Sequence, residues 1–251
     1  MTDAVLSQDL RVALYITGST KPEIRYRYGD FEDWFAAFLT PYGVETTTFD
    51  VRKGKYPDIT AVDGIIITGS SASVCTNPPD WVPVFITHLQ DIIDSGIPTL
   101  GVCFGHQILA AAAGGVVEPH PDGRESGPTE LQKTTLGKSD RLFQDIPEKF
   151  RVNMTHEDVV VRSPNGRVLA YNDYNGFQAI RYSDTIQSVQ FHPEFTAAIM
   201  EQYTRVYHSG RSGVNDSTGE EQGTSKESSV GRTILANFVN ILRLNIAPDK
   251  N

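Results

Sequence analysis

The sequence is poor in cysteine: it has two, Cys75 and Cys103, and no CxxC pair. Two cysteines cannot build a disulfide framework, and the missing pair removes the commonest zinc-site spacing. Uncrosslinked thiols suit a reducing compartment. Positive charge is also short, with 22 Lys and Arg against 31 Asp and Glu and a net charge of −9. Nucleic-acid binding needs clustered Lys and Arg against phosphates, so neither nucleic acid nor an anionic membrane is an expected partner. No apolar run approaches the ~20 residues of a spanning helix. Residues 1–10 carry Asp3 and Asp9 and no apolar stretch, unlike a secretory or Arg-rich transit peptide. These absences point to the cytosol, with the nucleus left open.

What is present is the alternation of an α/β chain. Val12–Ile16 reads as a strand, and Phe31, Trp34, Phe35, Phe38 and Leu39 recur at helical spacing. A polar segment lies between them, and Gly43 follows as a helix stop. Val44–Phe49 reads as a Thr-rich strand and Asp63–Thr68 as a continuous apolar strand buried on both faces. A helix over Trp81–Ser95, a strand over Thr99–Val102 and an Ala-rich helix over Gln107–Ala113 complete the first half. The pattern predicts an open, mostly parallel, doubly wound sheet with helices on both faces.

The middle changes character. Val116–Glu118, Thr129–Thr134, Val159–Val161, Val168–Tyr171 and Phe177–Tyr182 read as short strands of a small antiparallel insertion, before Ile186–Phe191 returns to the main sheet. Helices are expected over Ala197–Tyr207 and Thr233–Leu244. Between them Ser209–Arg232, rich in Ser, Gly, Thr and Glu, reads as a mobile insertion that cannot bury enough apolar surface to order itself. The chain is thus expected to be a single domain over residues 1–251, its core over about 12–205 and 233–245.

Three stretches carry chemistry. In Gly101-Val-Cys-Phe-Gly-His-Gln107 a strand ends and a helix begins around Cys103, the setting of a nucleophile elbow. The flanking glycines suit so crowded a turn. A thiolate at a helix N-terminus meets aligned N–H groups and the positive end of the macrodipole, and the Phe104 N–H would face a developing oxyanion. The alternative for Cys103 is a small buried hydrophobe. In Val189-Gln-Phe-His-Pro-Glu194 a strand runs into proline, leaving His192 at its C-terminal edge and Glu194 within reach. A nucleophilic Cys needs a base, and the base an orienting carboxylate. The third stretch, Ile67-Thr-Gly-Ser-Ser71, follows a buried strand and can aim backbone N–H groups at an oxyanion.

These stretches, with Gly114-Gly-Val116 and Asn153–Asp158, resemble the class I, triad-type glutamine amidotransferases, in family order over about residues 12–205. Within that family the chain is most similar to the GMP synthase glutaminase domain and its γ-glutamyl peptidase-like stand-alone relatives. The resemblance implies a flavodoxin-like fold and a thioester on Cys103. His192 would be the base and Glu194 its orienting group, and the Ser70 and Phe104 N–H groups would form the oxyanion hole. Gly69, Gln107 and a Thr155–His156 turn would lie near the substrate. No metal or cofactor is implied. The family loop usually reads Gly-Gly-Pro where this chain has Gly69-Ser70-Ser71, and a side chain at position 70 restricts the backbone. No synthetase-like segment is visible, so the expected activity is stand-alone hydrolysis of glutamine or a small γ-glutamyl amide. A glutaminase subunit feeding ammonia to a separate synthetase chain is the alternative, and a non-enzymatic binding protein the third reading. Cys75 reads as structural or incidental.

Overall fold

The computed structural model describes residues 9–209 and 229–246. The first half contains β1 (Leu10–Ile16), α1 (Pro22–Tyr28), α2 (Phe31–Leu39), β2 (Val44–Asp50), β3 (Gly64–Ile67), α3 (Trp81–Ser95), β4 (Thr99–Val102) and α4 (Phe104–Ala112). Then come β5 (Val116–Pro119), β6 (Glu125–Lys133), α5 (Thr135–Ser139), β7 (Lys149–His156), β8 (Asp158–Arg162), β9 (Arg167–Tyr171) and β10 (Ala179–Arg181). The chain closes with β11 (Ile186–Val189), α6 (Ala197–Ser209) and α7 (Ser229–Ile246).

One sheet of nine strands runs β2-β1-β3-β4-β11-β10-β9-β6-β7. The first five are parallel, in the order of a flavodoxin-like sheet. β10, β9, β6 and β7 continue it antiparallel, while β5 and β8 pair separately. The expected strand-rich insertion is therefore mostly an extension of the main sheet.

The period-2 alternation of β1 explains why helices cover both faces. Leu10, Val12, Leu14 and Ile16 point to a core completed by Phe35 and Leu39 of α2 and Ile234, Phe238 and Leu242 of α7. Ala13 and Tyr15 point to the other, formed with Phe85 and Leu89 of α3 and Phe104 and Ile108 of α4. β3, β4 and β11 are buried throughout, as strands covered on both faces must be. No helix among the described residues is long and apolar enough to cross a membrane.

Four local expectations are corrected. The polar segment after β1 holds α1, started by Pro22 at a position where a missing N–H costs nothing. The Ala-rich helix expected over Gln107–Ala113 starts earlier, at Phe104, directly after Cys103 as the elbow reading has it. Thr155 and His156 are not in a turn; they end β7, a strand whose polar residues conceal it. The expected insertion Ser209–Arg232 is shorter at both ends, since α6 runs through Ser209 and α7 starts at Ser229. The rest of that stretch lies outside the described residues.

Candidate active site

Gly69, Ser70, Cys103 and His192 lie just beyond the C-terminal ends of the parallel strands β3, β4 and β11, while Thr155 and His156 end β7. Open α/β sheets place ligands at the C-terminal edge of their parallel strands. Cys103 follows β4 with φ 55° and ψ −102° and caps α4. A positive φ at a non-glycine residue is costly and needs support from its surroundings. Here the Cys103 N–H donates to the Val189 carbonyl at 2.9 Å, and the Cys103 carbonyl accepts from His106 and Gln107 at 3.0 and 3.1 Å. The flanking glycines let the layers close. A Cβ on Gly101 would stand 2.5 Å from the Gly105 carbonyl oxygen, and one on Gly105 would stand 2.4 Å from that of Ile67. The Phe104 N–H, at the first turn of α4, has no acceptor among the described residues.

His192 follows β11, and its N–H donates to the Asn153 carbonyl at 2.9 Å, tying it to β7. Its Nδ1 lies 2.7 Å from Glu194 Oε1, both side chains being buried. Burial disfavours a charged imidazole, but Glu194 and the nearby Cys103 sulfur outweigh it and push the ring up to about 10. Among the described residues Nε2 makes no hydrogen bond of ordinary geometry, so the nitrogen away from Glu194 is open for proton transfer. The Cys103 sulfur lies 3.9 Å from the Thr155 carbonyl oxygen.

The loop after β3 departs from the Gly-rich family pattern, yet Ser70 is not at positive φ. Its hydroxyl donates to the Thr17 carbonyl and accepts from the Ala72 N–H, both at 3.0 Å. Thr17 Oγ1 in turn donates to the Gly69 carbonyl at 3.0 Å. A Cβ on Gly18 would stand 2.6 Å from Ser70 Oγ, so glycine there makes room for the serine. The side chain that raised doubt in the sequence knits the two loops together. The Ser70 N–H has no acceptor among the described residues.

Of the remaining candidates, Gly69 lies against His192: a Cβ there would be 3.0 Å from the ring's Cε1. Gln107 is buried and spends its amide nitrogen on the Asp158 carbonyl at 2.8 Å and Gln190 Oε1 at 3.2 Å. Thr155 Oγ1 is buried without a partner among the described residues. Cys75 is exposed, 3.4 Å from Ser73 Oγ, and supports no core.

His156 is buried in a network the motifs do not reveal. Its Nε2 meets Glu125 Oε2 at 2.8 Å and its Nδ1 the Asp158 carbonyl oxygen at 3.1 Å. Asn172 and Gln178 donate to the same carboxylate at 2.7 and 2.9 Å. Burial would raise the Glu125 carboxyl, but these bonds outweigh it and hold it below the ordinary 4.5. A depressed folded value gives stabilisation that is complete above the unfolded value and fades as pH falls through the folded one. Glu125→Gln should therefore cost about 2 kcal/mol at pH 7, a Tm loss of roughly 4–8 °C. The gap to the parent should narrow in acid. Melting curves from neutral to acid pH check this, and a constant gap would deny the charge any role.

Comparison with known proteins agrees with this architecture. The family model for glutamine amidotransferase class-I matches residues 28–204. The chain belongs to that family. A glutamine amidotransferase-like protein of Schizosaccharomyces pombe is 30% identical over 214 residues, 79% of this chain and 84% of that one. Gamma-glutamyl peptidase 4 of Arabidopsis thaliana is 25% identical over 78% of this chain and 80% of its own. The glutamine-hydrolyzing GMP synthase of Thermosipho africanus is 37% identical over 62% of this chain but only 28% of its own length. In fold, a glutamine amidotransferase structure from Thermotoga maritima superposes with a TM-score of 0.73 over 94% of this chain and 99% of that one, at 19% identity.

Proposed function

We propose that this family member is a cysteine hydrolase that cleaves the γ-amide bond of glutamine or a small γ-glutamyl compound. The observation that carries the reading is the His192–Glu194 pair, bonded at 2.7 Å with the far ring nitrogen open, beside a cysteine held at positive φ on a helix start. The Cys103 thiolate attacks the side-chain carbonyl carbon. The oxyanion is received by the Ser70 and Phe104 N–H groups, both without an acceptor among the described residues. As the C–N bond breaks, His192 protonates the departing amine, leaving a thioester. Water then loses a proton to His192 and attacks the thioester, and glutamate leaves as the thiol reforms. Glu194 orients the ring and stabilises its charge in both halves. Gly69, Gln107, Thr155 and His156 shape the adjoining wall, His156 through its network. The cytosol is the proposed location.

Independent hydrolysis is favoured by the likeness to γ-glutamyl peptidases, which spans most of both chains. The higher identity to GMP synthase, over a smaller share of that protein, keeps the ammonia-supplying subunit as the second reading. Glutamate release from glutamine, γ-glutamyl dipeptides and glutathione, against a Cys103→Ala blank, separates the two. Release by the protein alone supports the hydrolase, and the preferred leaving group names its substrate class. Release that needs an added synthetase chain favours the subunit. Failure with every substrate and partner overturns both.

A further inference from the structure

Outside the reacting groups, a cluster of aromatic rings surrounds the imidazole. Phe195 lies stacked on the His192 ring, with centroids 4.0 Å apart and planes 16° from parallel. Phe31 presents a second near-parallel ring, 6.2 Å away and 14° from parallel. Trp34 packs edge-on against both, at 5.3 and 5.4 Å. Gly69 faces both rings: a Cβ there would stand 3.0 Å from His192 Cε1 and 3.4 Å from Phe31 Cε1. All three aromatic side chains are buried, in a cluster with Ile24 of α1 and Ile199, Met200 and Tyr203 of α6.

Phe31 is placed with care. It is the first residue of α2, and Asp30 caps that helix in a reciprocal box with Asp33. Asp30 is buried and also accepts from the Thr20 N–H at 2.8 Å. The charges acting on His192 are those of Glu194 and Cys103. From α2 the ring's neighbour is Phe31 and from the β3 loop it is Gly69, while β7 holds the residue through the Asn153 carbonyl, which accepts from the His192 backbone N–H. The aromatic faces are thus uncharged neighbours that nonetheless favour a cation, because a π-face carries negative charge density.

We infer that Phe31 is a positioning residue for His192, holding the imidazole plane together with Phe195 and favouring the imidazolium of a Cys103–His192 ion pair. The inference rests on the reading of Cys103 and His192 as nucleophile and base. It predicts a specific pH signature. Where the thiolate exists only because the imidazolium pairs with it, loss of Phe31 lowers the reactive fraction. At a pH high enough to discharge the imidazole there is no imidazolium for Phe31 to favour, and the loss disappears.

The test measures alkylation of Cys103 by iodoacetamide from neutral to high pH, in a Cys75→Ser background so that one thiol reports. Phe31→Leu keeps apolar bulk and removes the ring, while Phe31→Tyr keeps the ring. Leu should slow alkylation about fivefold near neutrality, the equivalent of one modest cation–π contact, and converge with the parent at high pH. Tyr should stay near the parent throughout. Glutamate release near neutral pH should fall in parallel for Leu, mainly in kcat. Equal loss at every pH, no loss at all, or equal loss in Leu and Tyr would overturn the positioning role. A parent Cys103 no faster at neutral pH than the exposed Cys75, read in a Cys103→Ser protein, would overturn the ion pair itself and the inference with it.

Discussion

Cys103→Ser and His192→Asn should each lower kcat for glutamate release by at least about 10⁴-fold, and the double variant should be no worse than the poorer single one. The magnitude follows from the chemistry. Serine offers an oxygen whose proton is far harder to remove than that of a thiol, and asparagine cannot carry a proton between nucleophile and leaving group. The non-additivity follows from the geometry. His192 shares its charge with Glu194 on one side and Cys103 on the other, so removing either partner leaves the other without its function. KM should move little, because neither group is assigned to substrate binding. Melting curves guard against unfolding, since His192 also fills space against Phe195 at 4.0 Å. Steady-state rates for the parent, both singles and the double decide the matter. A double variant a further thousandfold below the singles would mean that the two residues act independently, and the proposed mechanism would fall.

The parts of this site that can be read in the sequence are those a few residues long. Glycines at 101 and 105 around a cysteine announce a tight strand-to-helix crossing, because only a missing Cβ allows backbone atoms 2.5 Å from where it would stand. His192 and Glu194 lie two residues apart beyond an apolar strand, so their meeting at 2.7 Å needs nothing from elsewhere in the chain. The parallel half of the sheet is equally legible, since β3 is an unbroken apolar run and β4, Thr-Leu-Gly-Val, is short and bounded by turn residues.

What the sequence hid depends on distant residues. Glu125 reaches His156 across 31 positions, and an isolated glutamate after Arg124 carries no sign of burial. Phe31 reads as one more apolar residue of an amphipathic helix; its closeness to His192 comes from how α2 crosses the sheet edge. β7 escaped notice because Arg151, Asn153, Thr155 and His156 break its apolar pattern, and three of those four are buried in the fold. Ser70 misled for the opposite reason. A local rule about glycine flexibility was applied where the backbone needs none, and the compensating glycine lies at position 18 on another strand's loop.

Gly105→Ala should damage both stability and activity although it adds a single methyl. In an exposed helix the change would gain up to about 1 kcal/mol in helix propensity. Here the new Cβ would sit 2.4 Å from the Ile67 carbonyl oxygen and 3.0 Å from its carbon, and that oxygen belongs to the backbone of a fully buried strand. Neither side can yield by rotating a side chain, so α4 must move off β3. Overpacking of this kind costs about 3 kcal/mol or more, which exceeds the propensity gain and should lower Tm by roughly 6–12 °C. Activity should fall further than stability, because α4 carries the Phe104 N–H at its first turn and Cys103 at its cap. A displacement of about 1 Å at such a centre is enough for a hundredfold loss. Gly176→Ala is the matched control: it has nothing within 4 Å and no positive φ, and should change stability by less than about 0.5 kcal/mol. If Gly105→Ala melted with that control and kept its rate, the crossing of α4 over β3 would not be what sets the elbow, and the support for the strained Cys103 backbone would have to come from its hydrogen bonds to Val189, His106 and Gln107 alone.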